Sequence, residues 1–185
     1  MLLLIAGLLL FTIVHLFPSA LAESRTSLVE KLGTNPYRGL FSVAIVVALA
    51  LIVVGWKSAT PTSVYLPPFG SEPMILALVF LAFVLLVAAK TRTNIRRYVR
   101  HPQMAAVILW SIAHLLVNGD SRSVALFGGL GAWAVIEMLL CSRRDGAWKK
   151  PERAPIVTDA VTVAIGAAGF AITWYFHQAL FGVSA

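Results

Sequence analysis

The sequence predicts an all-α protein, a polytopic bundle of six membrane-spanning helices with both termini on the non-cytoplasmic side. Three observations predict it. Hydrophobic residues are 59% of the 185 and charged residues only 12%, against about a quarter charged in a soluble domain. The apolar residues gather into six runs, most of them near the ~20 residues that cross a bilayer core. The basic residues fall in alternate loops between those runs. One transmembrane domain, residues 1–185, uses the whole length and leaves no room for a separate soluble domain.

The runs cover about residues 2–21, 38–56, 72–90, 103–118, 123–141 and 158–181. The first ends near Ala20-Leu21-Ala22, which looks like a signal-peptidase site. No Lys or Arg precedes it, so the expectation is a retained membrane helix. The fourth run is short and spans a ~30 Å core only with tilt or a protein-covered end. Pro36, Pro61, Pro67, Pro68, Pro73, Pro102, Pro151 and Pro155 sit in loops or first turns, while Pro18 lies near the end of the first run. Asn118-Gly119-Asp120 reads as a tight turn with a helix C-cap glycine, with Ser121 or Ser123 capping the next helix. So short a turn makes the fourth and fifth spans antiparallel neighbours.

Loop charge sets orientation. Arg25, Lys31 and Arg38 lie in the first loop, Lys90, Arg92, Arg96, Arg97 and Arg100 in the third, and Arg143, Arg144, Lys149, Lys150 and Arg153 in the fifth. The second and fourth loops hold only Lys57 and Arg122. The positive-inside rule turns the odd loops to the cytoplasm and both termini outward. The net charge of +7 is thereby assigned to topology and to anionic lipid, and nucleic acid is not an expected partner. Cys141 is the single cysteine, which excludes an internal disulfide and a CxxCH haem attachment.

Polar residues inside the runs carry what chemistry there is, because each is costly in lipid unless partnered. Gln103, Ser111, His114 and Asn118 share one stripe of the fourth run. Thr12, His15 and Ser19 share one of the first, and Thr162, Thr173 and His177 one of the sixth. His15 lies roughly 20 Å below the outer end of its helix and His114 roughly 12 Å below the outer face, an offset of about 8 Å. Side chains lean toward their own helix N-termini, so the two lean toward each other. Two histidines without a carboxylate at helical spacing suit axial ligation of haem iron in a slot lined by Phe11, Trp110 and Phe127. Histidines hydrogen-bonded between helices are the default reading of the spacing alone. Thr12 and Ser111 are candidates to orient the rings. His177 reads as interfacial, or as a third ligand. Arg100, His101 and Glu137 form a candidate corner for a polar ligand, with Glu137 expected to pair with Arg97, Arg100 or Arg143.

Arg100-His101-Pro102-Gln103-Met104, the block Ile108-Leu109-Trp110-Ser111-Ile112-Ala113-His114-Leu115, and Asn118-Gly119-Asp120 together resemble the NnrU family. The opening Gly7-Leu8-Leu9-Leu10-Phe11 with His15 and Pro18 resembles it too, so the likeness covers nearly the whole chain. It implies a bacterial inner-membrane protein associated with nitrate, nitrite and nitric oxide reduction, with an electron donor or a respiratory nitrogen-oxide system as partner. The family is similar to 15-cis-zeta-carotene isomerase, a haem b enzyme, which implies His15 and His114 at its axial positions. That isomerase carries a cysteine three residues before its second histidine, where this chain has Ser111. Isomerisation of a long polyene is the alternative activity, and the missing thiol counts against it. Tyr98-Val99-Arg100-His101-Pro102 is more distantly similar to the S-adenosylmethionine-binding entry of isoprenylcysteine carboxyl methyltransferases. The acidic, tyrosine-containing segment that completes their site is replaced here by Ser142–Lys150.

Overall fold

In a computed structural model, which describes residues 1–68 and 72–182, the first five apolar runs are each helical, and the sixth, expected as one span over 158–181, is broken at Phe176 into two helices, the second beginning at His177. In chain order these are α1 (Leu2–Ala20), α2 (Ala22–Leu32), α3 (Thr34–Ser58), α4 (Glu72–Ala88), α5 (Pro102–Val117), α6 (Ser121–Asp145), α7 (Ile156–Tyr175) and α8 (His177–Phe181). Among the described residues the only strand-like pairing is an isolated bridge between Ser63 and Asp120. Four helices, α1, α3, α6 and α7, are long and apolar enough to cross a membrane. The apolar segments Pro73–Ala88 and Pro102–Val117 are shorter.

The helices outrun the apolar text. α3 begins at Thr34 and α6 continues to Asp145, because a helix satisfies its own backbone and polar flanks extend it into the headgroup layer. The first loop is not extended chain. Eleven of its residues form α2, which ends at Gly33, held at φ 87°, a conformation that suits glycine.

Neighbours follow the spatial order α3, α1, α6, α5, α4, α7. Two close approaches fix it. A Cβ on Gly55 would collide with the Leu4 backbone where α1 crosses α3, and one on Gly166 would lie 2.8 Å from Val84 Cα where α7 crosses α4. One core joins Leu4, Leu8 and Ile52 to Phe11, Trp56, Leu126 and Leu130. A second joins Ala82, Leu85 and Ala106 to Leu109 and Trp110.

The C-terminal end of α5 and the start of α6 lie under a strap, residues 60–68. Val64 N donates to Gly119 O at 2.8 Å and Ser121 N to Thr62 O at 2.8 Å. The Tyr65 hydroxyl reaches the last carbonyls of α5, those of Leu115 and Asn118. Gly119 is therefore needed for close approach, since a Cβ would strike Tyr65 O. It is not a left-handed cap, because its φ is not positive. The α6 cap is Asp120 rather than Ser121 or Ser123. Its Oδ1 accepts from Arg122 N at 3.0 Å and Ser123 N at 3.3 Å, and its Oδ2 from Ser123 Oγ at 2.5 Å. Asp120 stands just before the first helical residue, so its carboxylate meets the free N–H groups of Arg122 and Ser123, whereas Ser121 and Ser123 are already helical. Within α6, residues Val124–Gly128 form a π-helical segment. Such a bulge re-aims the side chains around it, here Phe127.

Candidate functional site: two histidines on α1 and α5

His15 stands on α1 with its Nδ1 3.0 Å from Phe11 O, one turn back. A carbonyl only accepts, so Nδ1 carries the proton and the lone pair is left on Nε2. His114 repeats this on α5, with Nδ1 2.9 Å from Trp110 O. The orienting groups are thus backbone carbonyls. Ser111 Oγ instead packs toward Gly131 of α6 and has no hydrogen-bond partner, and Thr12 is half-buried beside Phe11.

Each ring is set among aromatic side chains. His15 lies 4.1 Å from the Phe11 ring centroid, 5.2 Å from Trp133 and 5.6 Å from Phe41. His114 stacks on Phe127 at 4.3 Å and lies 4.9 Å from Trp110. Phe127 and Trp133 are six residues apart on α6, roughly 9 Å of helical rise. The two imidazoles therefore meet α6 at different levels, against the two helices that flank it. His177, at the start of α8, lies within electrostatic range of His114.

Glu137 does not join the Arg100 corner. Its Oε1 accepts from Ser19 Oγ of α1 at 2.5 Å and from Cys141 Sγ at 3.3 Å, and its Oε2 is buried with no partner. Among the described residues the ion pairs are Arg122–Asp120 and Arg144–Asp145, so the expected pairing with an arginine is not found. The reason is facing. Trp133, Glu137 and Cys141 recur every four residues and lie on the α1 side of α6.

The Arg100 corner closes the C-terminal end of α6. Arg100 Nη2 donates to Gly146 O at 2.7 Å, and His101 Nε2 lies 2.8 Å from Ser142 Oγ. A guanidinium on the last carbonyls of a helix complements its negative end. Burial pushes the His101 imidazole below its usual pKa, and the neighbouring Arg100 charge adds to that effect.

Two groups of residues are not legible in the sequence. Trp133 and Phe41 complete the His15 pocket, but single aromatics in apolar runs carry no signal of facing. Asn94 bonds the backbone of Ala154 both ways, Nδ2 to O at 2.8 Å and Oδ1 from N at 3.0 Å, while Asp159 accepts from Asn94 N and Thr93 Oγ1. That latch joins loops about sixty residues apart, and no spacing rule reveals it.

Searches of curated proteins and of solved structures gave no match. The family model described as NnrU protein matches residues 3–185. That match takes in both histidine helices and the Arg100 corner, and the chain belongs to the NnrU family.

Proposed function

We propose that this chain is a haem b-binding protein of the bacterial inner membrane, with His15 and His114 as axial ligands, serving nitrate, nitrite or nitric oxide metabolism. The reading is supported by the matched tautomers. On two helices an Nδ1–H is engaged by the carbonyl one turn back, which presents a neutral Nε2 from an aromatic pocket. Haem ligation takes that donor, with that support on the other ring nitrogen. When bound, the haem supplies one-electron chemistry whose potential follows ligand basicity and burial. The residues of this chain orient the imidazoles and keep water from them, and an electron donor of the respiratory system is the expected partner. Six spans with both termini outward complete the reading, supported by the alternation of thirteen basic residues in the odd loops with two in the even ones.

The alternatives have less support. Ser111 offers no thiol for polyene isomerisation, and Arg100 and His101 are engaged by the end of α6, not presented to S-adenosylmethionine. An absorption spectrum tests the proposal. Detergent-purified protein is expected to show a Soret band and redox-dependent visible bands. His15→Ala and His114→Ala should each alter them. Colourless protein that takes up no haem on reconstitution overturns the proposal.

A further inference from the structure

A groove of about 370 Å³ opens between the end of α1 and the start of α3, lined by Pro18, Arg25, Tyr37, Arg38, Phe41 and Ser42. Its lining combines two guanidinium side chains with a proline, two aromatic rings and a hydroxyl. Arg25 lies over the Tyr37 ring, 5.8 Å from the centroid. Tyr37 is 9% exposed, and its hydroxyl is buried without a partner. Among the described residues neither guanidinium has a carboxylate within ion-pair distance. Two like charges gathered at one groove without a counter-ion call for an anion from outside the chain.

A stripe on α3 says what kind of anion. Arg38, Ser42, Val46, Leu49 and Val53 recur at helical spacing and share one face. Val46, Leu49 and Val53 are exposed along it. A basic, hydroxyl-bearing end thus runs directly into an exposed apolar track, a match for a headgroup and its chain. The groove also sits at helix ends, in the loop that carries the first basic cluster, where anionic lipid is met. Phe41 lines the groove and also contacts His15, so its ring stands between this groove and the imidazole.

We propose that this groove is a binding site for the phosphate headgroup of an anionic phospholipid, whose acyl chain lies along Val46, Leu49 and Val53. The inference is independent of haem. Native mass spectrometry of the full chain in detergent tests it, with phosphatidylglycerol and phosphatidylcholine of identical acyl chains as probes. Wild type is expected to retain phosphatidylglycerol preferentially, and each of Arg25→Gln and Arg38→Gln to lower that preference about fivefold. Tyr37→Phe should lower it less. Arg92→Gln/Arg96→Gln, with the same total charge change at another groove, should leave it intact. Unchanged preference in Arg25→Gln/Arg38→Gln that retains wild-type circular dichroism overturns the proposal, as does equal loss in the Arg92/Arg96 control. Displacement of the lipid by millimolar inorganic phosphate assigns the groove to the free anion and overturns the lipid assignment.

Discussion

Ser111 and Gly131 meet closely where α5 packs on α6, and they show what single atoms cost there. A Cβ on Gly131 would lie 3.1 Å from Ser111 Cβ and 3.3 Å from its Oγ. The hydroxyl is 2% exposed by residue and unpartnered. A buried hydroxyl without a partner costs about 1–3 kcal/mol of desolvation. Ser111→Ala is therefore expected to leave thermal stability in detergent unchanged or to raise it. Gly131→Ala should lower stability by no more than about 2 kcal/mol, since overpacking of about 1–3 kcal/mol is offset by the roughly 1 kcal/mol that alanine gains over glycine inside a helix. Loss of stability on Ser111→Ala, read as a lower Tm, shows instead that the hydroxyl serves a partner. Glu137 teaches a related lesson about reading residues from sequence. The arginines on neighbouring loops were its natural partners by charge, yet its bonds go to Ser19 and Cys141. Which side of a helix faces which neighbour depends on the order of packing, and α1 lies beside α6 only in three dimensions.

Among the elements, the start of α6 combines three devices within four residues. Asp120 caps the helix, Arg122 pairs with it at 3.6 Å and lies over Trp56 at 4.8 Å, and the strap hydrogen-bonds the turn from outside. Asp120→Ala should cost about 1 kcal/mol as a lost N-cap. Burial pushes the Asp120 carboxyl up, but the hydrogen bonds from Ser123 and Arg122 outweigh it and hold the pKa below the usual 3.8. The contribution is therefore complete above pH 3.8 and fades as pH falls through the lower folded value. Asp120→Asn keeps an acceptor and should remove this acid-dependent part; melting curves of both variants between neutral and acid pH check it. A wild-type Tm no more acid-sensitive than that of Asp120→Asn counts against the cap. Helix positions were legible because apolar runs of this length have few alternatives. Their ends were not, since polar residues such as Thr34 and Arg143 stay helical outside the apolar region. α2 was hidden because its charges, Arg25 and Lys31, read as topology signals. The two histidines were legible by their rarity and depth. Their aromatic surroundings were not, because Trp133 and Phe41 reach His15 across helix contacts.

The whole molecule poses one question that its helix lengths make sharp. α5 has 16 residues, about 24 Å at 1.5 Å per residue, against a hydrocarbon core of ~30 Å. A helix that stops short would leave its last carbonyls in lipid. Here the strap covers that end, with Tyr65 bonding the carbonyls of Leu115 and Asn118 and the Gly119 carbonyl taken by Val64. α4, equally short, packs between α5 and α7, so protein covers much of its length as well. Protein thus covers both short helices, and the proposed six crossings require the loops after α4 and α6 to share a side. Their arginines engage across that side: Arg97 donates to Pro151 O at 2.5 Å and Arg100 to Gly146 O. Reporter fusions after Arg92 and after Lys149 should report the cytoplasm, and fusions after Asn118 and at either terminus the opposite side. If α4 and α5 instead dipped in and returned without crossing, the turn at Asn118 would fall on the same side as Arg92. A non-cytoplasmic signal after Arg92 would therefore reduce the chain to four crossings.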